Sequence, residues 1–342
     1  MKTTLCTLYN SLYLDKGLVL YDSLKECAND FELYVLCMDE KCHEVLSCIK
    51  DDRLKPLHLS DVENLAMQNA KSNRSVGEYC WTCSSRLIQY IFDVFNPECC
   101  TYIDSDLFFY NDPQILVDEM LAEGKSVMMV PHRFTDRNKN DAEKVGVYCV
   151  EFNCFKNVPQ ARIVLDYWHN KCLECCSAIG DGIHWGDQKY MDEWPSLFPE
   201  VVHICKHLGA GIAPWNIESY KGGNRSFTSV IDLESGKEIK NVFYHFQGIT
   251  YITRGEINSG IPSNLQHVDY TFVNRIYVDY LKRIEEKKKM LECEYGISFI
   301  IKRHPAKSRP IWKTILLKLP YVKRLVQSAN HVLPSYIIHI EN

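Results

Sequence analysis

The sequence lacks the features that mark membrane-spanning, secreted and nucleic-acid-binding proteins. No apolar run approaches the roughly 20 residues that a membrane-spanning helix needs. The residues after Met1 contain no apolar stretch that ends in a small-residue cleavage site, so we predict no signal peptide. Lys and Arg number 39 and Asp and Glu number 44, which gives a formal net charge of −5. This balance argues against a general nucleic-acid binder, because such proteins carry a basic surplus.

Cysteine, by contrast, is abundant, with 16 residues. Two Cys-x-x-Cys pairs, Cys80/Cys83 and Cys172/Cys175, lie in helix-like stretches rather than in zinc knuckles. Disulfides are not expected in a chain without a secretory signal. We therefore interpret the cysteines as reduced residues that pack as small hydrophobic side chains, with a structural zinc site as the alternative.

Apolar strand-like segments alternate with amphipathic helix-like segments along the chain. The pattern predicts strands over residues 3–8, 31–38, 54–59, 99–103, 126–131, 145–155, 201–205 and 242–246. Helices are predicted over residues 17–28, 40–49, 75–95, 114–121 and 158–176, and from the capping box that Ser60 and Glu63 would form. The alternation is typical of an α/β protein with a mostly parallel sheet and helices on both faces.

The sequence changes in character after residue 265. A long charged helix is predicted over residues 272–292, and residues 302–324 combine many Lys and Arg side chains with apolar ones, including Trp312. We therefore predict a main domain over residues 1–265 and a helical, basic and amphipathic extension over residues 266–342. Such an extension can bind an anionic membrane surface, at about 1 kcal/mol per basic residue, or can pack on the domain.

Two carboxylates follow the predicted strand 99–103. Asp104 and Asp106 are separated by one residue, and side chains at i and i+2 of an extended chain point to the same side. Like charges this close need a cation between them, and oxygen ligands suit Mg²⁺ or Mn²⁺, which commonly also hold a phosphate. The carboxyl end of a strand is where open α/β sheets bind ligands. We infer a divalent metal that binds a diphosphate, although a lone Asp-x-Asp can also be a turn that caps a strand.

Two further motifs follow the Asp-x-Asp motif in the chain, namely Asp187-Gln188 and a His-x-x-Gly motif that begins at His245. Two further features are the loop with Tyr13 after the first strand and the Ser23-Leu24 pair. Together with the three motifs, they make residues 3–251 resemble GT-A glycosyltransferases of glycosyltransferase family 8. The Ala-Pro-Trp-Asn loop at residues 213–216 is similar to that of bacterial glycosyltransferases. The resemblance implies a GT-A fold, a Rossmann-like mixed sheet that binds a nucleotide-diphospho-sugar.

The resemblance implies Mn²⁺ or Mg²⁺ as the cofactor, held by Asp104, Asp106 and His245. A neutral imidazole suits Mn²⁺. His207 is the runner-up for the third ligand, because His207 and the pair Pro214-Trp215 match the spacing of the family's His…Pro-Trp motif. His245 is preferred because the family's ligand follows a strand well past the Asp-Gln helix.

The resemblance also implies roles in donor binding and catalysis. Asp187 and Gln188 match the catalytic pair near the anomeric carbon. The residues that match donor-binding positions are Thr7, Asn10 and Tyr13 in the nucleotide loop and Asp104 and Ser105 near the ribose. Lys71 and Arg74 are candidates for contact with phosphate or sugar, with solvated helix residues as the alternative.

One position departs from the family pattern. The family has Asn-x-Gly on the strand that lines the donor sugar, whereas the corresponding residues here are Cys149, Val150 and Glu151. Asn153 lies four residues after Cys149, so alternation predicts the same face of the strand. We therefore predict that Asn153 substitutes for the family's asparagine at the donor sugar.

The resemblance predicts a metal-dependent glycosyltransferase that moves a hexose-type sugar from a nucleotide sugar to a glycan or lipid-linked acceptor. A UDP-sugar is the favoured donor, and retention of configuration rests on the resemblance alone. We expect a bacterial protein of polysaccharide biosynthesis in the cytoplasm, with the basic extension as a peripheral contact to the inner face of the membrane. The acceptor surface is predicted from residues 133–144 and 219–238.

Two alternatives remain open. The first is a catalytically inactive glycan-binding or scaffold protein of the same fold, although an idle site has no physical need for clustered buried charge. The second is an Asp-x-Asp phosphohydrolase, similar to the haloacid-dehalogenase-like phosphatases. That motif requires Thr or Val where this chain has Phe108, and it normally follows the first strand.

Overall fold

The computed structural model describes residues 2–251, 256–262, 264–299 and 337–339. The strands of these residues, in chain order, are β1 (Thr3–Tyr9), β2 (Phe31–Cys37), β3 (Leu54–His58), β4 (Cys99–Ile103), β5 (Leu107–Phe109), β6 (Val127–Pro131), β7 (Tyr148–Lys156), β8 (Val202–Ile204), β9 (Tyr220–Gly222), β10 (Ser229–Asp232), β11 (Glu238–Lys240), β12 (Phe243–His245), β13 (Thr250–Tyr251), β14 (Glu256–Asn258) and β15 (Ile337–His339).

The α-helices of the described residues are α1 (Leu14–Cys27), α2 (Glu40–Cys48), α3 (Leu59–Val62), α4 (Leu65–Lys71), α5 (Val76–Phe95), α6 (Gln114–Ala122), α7 (Asp141–Val145), α8 (Pro159–Glu174), α9 (Trp194–Leu197) and α10 (Tyr270–Tyr295). Short 3₁₀ helices cover Ser11–Tyr13, Lys189–Glu193 and Ile217–Ser219. None of the described helices combines the length and the apolar character that crossing a membrane requires.

The central sheet has seven strands in the order β3-β2-β1-β4-β7-β6-β8. Strands β1 to β4 are parallel, whereas β7 is antiparallel to both of its neighbours. Helices α1 and α2 pack with Leu5 and Val35 in one buried cluster. Helices α5 and α8 pack with Cys6 and Leu36 in another. The predicted mostly parallel sheet with helices on both faces is confirmed.

The capping box predicted at Ser60 and Glu63 is wrong. Residues Leu59–Val62 form a single helical turn without a side-chain cap, and α4 begins after Asn64. Glu63 binds the ammonium of Lys71 at 2.7 Å instead of the chain at Ser60. The capping box of the structure opens α5, where Ser75 and Glu78 each bind the other's backbone N–H group. The Ser-x-x-Glu pattern therefore does not by itself define a capping box, because Glu63 pairs with Lys71 whereas Glu78 binds back to Ser75.

The helix that the family resemblance implies from Asp187-Gln188 onwards is also different in the structure. Lys189–Glu193 form a 3₁₀ helix, and the four-residue helix α9 follows. Asp187 and Gln188 lie in the turn before the 3₁₀ helix rather than on a helix. Both are therefore held by local turns and by their contacts with other segments.

The long C-terminal helix predicted over residues 272–292 is confirmed as α10. Its apolar face is buried with the strand pair β5–β12, where the rings of Tyr280 and Phe246 stack at 3.8 Å. Ion pairs of Arg283 with Glu26 and of Lys287 with Asp22, each at 2.5 Å, join it to α1. The division at residue 265 stays a prediction, and the basic segment 302–324 lies outside the described residues.

The prediction of reduced cysteines is confirmed, because all 16 are free. Most of them are buried, as expected of small hydrophobic side chains. Among the described residues, a cysteine joins a possible metal-binding group only once, and the other two residues of that group are Glu151 and His245. The two Cys-x-x-Cys pairs therefore form no zinc site in the described part of the chain.

Candidate metal-binding and catalytic site

The antiparallel pairing of β5 with β12 brings His245 to the Asp-x-Asp turn. His245 lies opposite Leu107, the residue that follows Asp106. Nε2 of His245 is 3.1 Å from Oδ1 of Asp106 and 3.7 Å from Oδ2 of Asp104. The structure thus brings together three predicted metal ligands whose sequence positions are far apart.

The other ring nitrogen of His245 binds a third carboxylate. Nδ1 of His245 is 2.6 Å from Oε2 of Glu151, and both side chains are buried. The backbone N–H of Asp104 donates to the carbonyl oxygen of Glu151 at 3.1 Å. Sequence reasoning noticed Glu151 only as a departure from the family pattern and missed this contact. The available signal was a charged residue in the middle of an otherwise apolar strand.

A bulge in β7 lies beside Glu151 and changes which face the following residues occupy. In the pairing with β6, Cys149 lies opposite Val130 and Cys154 lies opposite Met128. The four residues 150–153 of β7 therefore lie opposite one residue of β6, Met129. A bulge of this kind breaks the alternation of faces along the strand. Phe152 and Cys154 therefore lie on one face of the sheet, whereas Val150 and Phe155 lie on the other.

The predicted face of Asn153 is wrong for the same reason. Cys149 packs with Ala213 and Trp215. The amide of Asn153 donates to the sulfur of Met191 at 3.3 Å, in the cluster on the opposite face. Alternation over four residues fails here because the bulge intervenes. The assignment of Asn153 to the donor sugar stays a prediction.

The electrostatics of this group favour a bound cation. Burial raises the pKa of Asp104 to about 7, with a contribution from the charge of Asp106, although His245 opposes the rise. For Asp106, burial is outweighed by His245 and by Lys16, which together lower its pKa to about 2. Burial opposes charge on His245, yet Asp106 and Glu151 hold its pKa well above the usual value. Three carboxylates around one imidazole are an environment that stabilises positive charge.

The donor set fits a divalent metal. The ligand atoms of Asp104, Asp106 and His245 lie within 4.8 Å of one another. Two carboxylate oxygens and one imidazole nitrogen suit Mn²⁺, and carboxylates with water suit Mg²⁺. Among the described residues, His207 belongs to no group of this kind, and its Nδ1 accepts from the backbone N–H of Gly209 at 3.1 Å. The geometry supports His245 over His207.

The Ala-Pro-Trp-Asn loop packs against His245. The ring of Trp215 meets the imidazole edge to face at 5.4 Å, and its Nε1 donates to the carbonyl of His132 at 2.7 Å. The side chain of Asn216 donates to the carbonyls of His132 and Gly211 and accepts from the N–H of Ala213. These bonds hold the loop in one conformation against the metal-binding group.

Asp187 lies close to the metal-binding group, whereas Gln188 points towards a neighbouring loop. Burial raises the pKa of Asp187 to about 8, and the charge of Asp104 contributes to the rise. Nε1 of Trp168 donates to the backbone carbonyl of Asp187 at 2.8 Å and holds the turn. The amide of Gln188 donates to the carbonyl of Val145 at 2.7 Å. The predicted pair is therefore adjacent in the turn, but only Asp187 interacts with Asp104.

The predicted nucleotide loop follows β1 at the same edge of the sheet. The hydroxyl of Thr7 is buried without a hydrogen-bond partner among the described residues. Oδ1 of Asn10 accepts from the N–H of Leu12 at 3.1 Å, and the Tyr13 ring is partly exposed beneath the ammonium of Lys16. Ser105, between the two carboxylates, is half-buried.

A pocket of about 190 Å³ opens beside this loop. Its lining includes Tyr13, Lys16, Tyr251, Tyr280 and Lys288. Because Lys16 also lowers the pKa of Asp106, the pocket adjoins the metal-binding group. Tyr280 and Lys288 come from α10, which the sequence placed in a separate extension, so sequence reasoning missed their proximity to the site. No local signal in a charged amphipathic helix would have revealed it.

Lys71 and Arg74 are engaged elsewhere. Nζ of Lys71 pairs with Glu63 at 2.7 Å and lies over the ring of Tyr79. Nη2 of Arg74 donates to the carbonyls of Cys172 and Leu173, near the C-terminus of α8. These contacts have a structural role, and contact with the donor stays a prediction for both residues.

The two segments predicted for the acceptor face a common groove. Its volume is about 940 Å³, and its lining combines Phe134, Tyr220, His267 and six charged side chains, namely Arg133, Asp136, Arg137, Glu218, Asp232 and Glu234. The Phe134 ring lies 6.4 Å from Trp215, which in turn contacts His245. The groove is thus linked to the metal-binding group through two aromatic rings.

Comparison with known proteins identifies two relatives in Bacillus subtilis (strain 168). The uncharacterized protein YfnD is 31% identical over 283 residues, which cover 82% of this chain and 88% of YfnD. The uncharacterized protein YfnF is 31% identical over 309 residues, which cover 86% of this chain and 97% of YfnF. No family model matches the chain.

The fold has solved counterparts. The galactosyltransferase LgtC, in complex with donor and acceptor sugar analogues, superposes with a TM-score of 0.53 at 11% sequence identity. The likeness covers 83% of this chain and 96% of that chain. It confirms the GT-A glycosyltransferase fold that the sequence predicts.

Proposed function

Since the chain belongs to the family of the Bacillus subtilis proteins YfnD and YfnF and has a GT-A fold, we propose that it is a metal-dependent glycosyltransferase. It moves a hexose-type sugar from a nucleotide sugar to an acceptor hydroxyl. The observation that carries this proposal is the convergence of Asp104, Asp106 and His245 at the carboxyl end of β4. Open α/β sheets bind their ligands at this edge.

Asp104, Asp106 and His245 would hold the cofactor, Mn²⁺ or Mg²⁺. The imidazole favours Mn²⁺ of the two. When bound, the ion neutralises the negative charge that develops on the nucleoside diphosphate leaving group. Clustered, half-buried carboxylates that lack a cation repel one another, which argues against an inactive scaffold.

The nucleotide would lie along the loop after β1. The aromatic ring of Tyr13 can stack on the base, and the ammonium of Lys16, close to Asp106, can bind the diphosphate. Thr7, Asn10 and Ser105 complete the donor site in this proposal. The preference for a UDP-sugar rests on the family resemblance.

Asp187 would act at the sugar. Transfer breaks the bond between the anomeric carbon and the phosphate oxygen and forms a bond from that carbon to the acceptor oxygen, which loses its proton. A carboxylate near the anomeric carbon stabilises the positive charge that develops there. Because the pKa of Asp187 is about 8, this role requires the metal ion and the developing cation to favour its ionised form. Asp187 is buried next to Asp104, and Gln188 would assist after its amide leaves the Val145 carbonyl. Retention of configuration rests on the resemblance.

The groove lined by Phe134 and Tyr220 would receive the acceptor glycan. Aromatic faces with a few polar groups are typical of sites that bind organic ligands. The groove has four carboxylates, at Asp136, Glu218, Asp232 and Glu234, against two arginines. This charge balance favours neutral or amino-bearing sugars and disfavours phosphate-bearing ones. A membrane contact through residues 302–324 remains part of the hypothesis for a lipid-linked acceptor.

A screen of nucleotide sugars tests the donor site. We expect one nucleotide family to raise the melting temperature in the presence of Mn²⁺ and not in the presence of a chelator. A ligand at a hundred times its dissociation constant stabilises by about 2.7 kcal/mol, which corresponds to a few degrees. Absence of a shift with every donor in Mn²⁺ would contradict the proposed function.

Charge reversal tests the groove. We expect the double variant Asp136→Lys/Glu234→Lys to bind amino-bearing oligosaccharides roughly tenfold more weakly than the unaltered protein. Both side chains are exposed, so the fold should tolerate the change. Glu143→Lys, in the nearby helix α7 and outside the groove lining, is the control for charge reversal. Equal binding of a glycan panel by all three proteins would exclude the groove as the acceptor site.

A further inference from the structure

Glu151 contacts two of the three residues that form the candidate metal site. Its carboxylate accepts the hydrogen bond of His245 Nδ1 at 2.6 Å, and its backbone carbonyl accepts from the N–H of Asp104 at 3.1 Å. The Glu151 side chain has no exposed surface. One buried residue thus contacts both Asp104 and His245.

The chain provides a specific place for this carboxylate. The bulge in β7 lies next to Glu151 and interrupts the pairing with β6 between Met128 and Val130. On the other side, Gly211 has a φ of +74°, and a Cβ there would lie 2.5 Å from Oε1 of Glu151. Bulge and glycine together leave room for the carboxylate beside His245. Neither feature is needed for the parallel part of the sheet.

A carboxylate at this place controls which nitrogen of His245 faces the metal. When Nδ1 donates to an acceptor, the lone pair remains on Nε2. Nε2 is the atom that points to Asp106 and Asp104. Without Glu151, the buried Nδ1–H group would lose its carboxylate acceptor, and the ring would lose a contact that fixes its orientation.

We propose that Glu151 is the positioning residue of the metal site, an outer carboxylate that orients His245 and fixes its tautomer. The inference rests on the proposed function, because it assumes that His245 binds the metal. It explains why this chain has a glutamate where the family pattern has a small residue. Outer carboxylates of metal-bound histidines typically contribute a factor of about 10 to 100 to metal affinity.

The test is calorimetric titration of Mn²⁺ into the full chain and two variants. We expect Glu151→Met, which has a similar shape but no acceptor, to bind Mn²⁺ about 10- to 100-fold more weakly. Glu151→Gln keeps a carbonyl oxygen that can accept from Nδ1, so it should recover most of this loss. A purely structural role would not distinguish the two variants in this way.

Glu119 offers a matched control. Its carboxylate bonds to Nε2 of the buried His203 at 2.6 Å, away from the metal-binding group. Glu119→Met removes this bond to a histidine, together with bonds from the backbone N–H groups of Lys206 and His207, and should leave Mn²⁺ affinity unchanged. Failure of the proposed function would appear as no Mn²⁺ binding by the unaltered protein. Equal affinities of the unaltered protein and a folded Glu151→Met variant would instead overturn only the role of Glu151.

A second measurement needs no variant and decides the question if Glu151→Met does not fold. In the Mg²⁺ complex of the unaltered protein, nitrogen NMR of the His245 ring should place the proton on Nδ1. The signal of this proton should be shifted strongly downfield by the bond to Glu151. A proton on Nε2 in that complex would overturn the inference.

Discussion

Asp106→Asn is expected to abolish Mn²⁺-dependent binding of the nucleotide sugar and to lower transfer by about 10³-fold or more. Asp106 is the most acidic carboxylate of the metal-binding group, with a pKa of about 2. Its Oδ1 lies 3.1 Å from the ring nitrogen of His245. Asparagine keeps the shape and an acceptor oxygen but removes the charge, so the fold should survive. Calorimetry with Mn²⁺ and donor, together with assay of released nucleoside diphosphate, measures both effects.

The control for this variant is Asp52→Asn, in an exposed turn before β3. It changes the same chemical group far from the metal-binding residues and should leave binding and transfer unchanged. If the Asp106→Asn protein binds the nucleotide sugar in Mn²⁺ as tightly as the unaltered chain, Asp106 is not a metal ligand. A loss of melting temperature in Asp106→Asn would show that the charge serves the fold instead.

Asp187→Asn should lower transfer by about 10²- to 10³-fold while donor affinity changes only a few-fold. Asp187 is buried near Asp104, and its pKa of about 8 reflects burial and that neighbouring charge. An amide of the same shape cannot stabilise developing positive charge as a carboxylate does. The backbone bond from Trp168 does not depend on the side chain, so the turn should persist. The measurement is kcat for transfer beside the Kd of the donor.

Comparison with Asp166→Asn, an exposed aspartate on α8, controls for a general effect of the substitution. If Asp187→Asn retains full transfer activity, Asp187 has no catalytic role and acts only in packing the turn. Equal losses of donor affinity and transfer would instead place the residue in uniform substrate binding. The Asp187 and Asp106 variants therefore differ in their expected pattern, since only Asp106→Asn should lose the donor.

Much of the site was accessible from local sequence patterns. Asp104 and Asp106 follow an apolar strand, and this alone predicts two carboxylates at a sheet edge. Their combination with Asp187 and His245 in one chain order carries the resemblance to glycosyltransferase family 8, and that resemblance implied the GT-A fold and the ligand set. These features depend on residue type and spacing, which a sequence displays directly.

The choice of the third ligand shows the limit of this reasoning. His207 and His245 both match a family motif, and only chain order favoured His245. The structure adds the decisive geometry, because the pairing of β5 with β12 joins His245 to Asp106 across 139 positions. When two paired strands are this far apart in the sequence, the hydrophobic pattern of neither strand indicates its partner.

The sequence by itself determined the alternation of strands and helices, the Asp-x-Asp turn and the long helix α10, because hydrophobic periodicity and residue type are local properties. Only the tertiary structure decided that Glu151 reaches His245 and that a bulge in β7 places Asn153 on the opposite face. It also decided that α10 contributes Tyr280 and Lys288 to the pocket beside Asp106. Bulges, strand registers and helix packing depend on which surfaces from distant parts of the chain are buried together. Local sequence patterns do not contain this information.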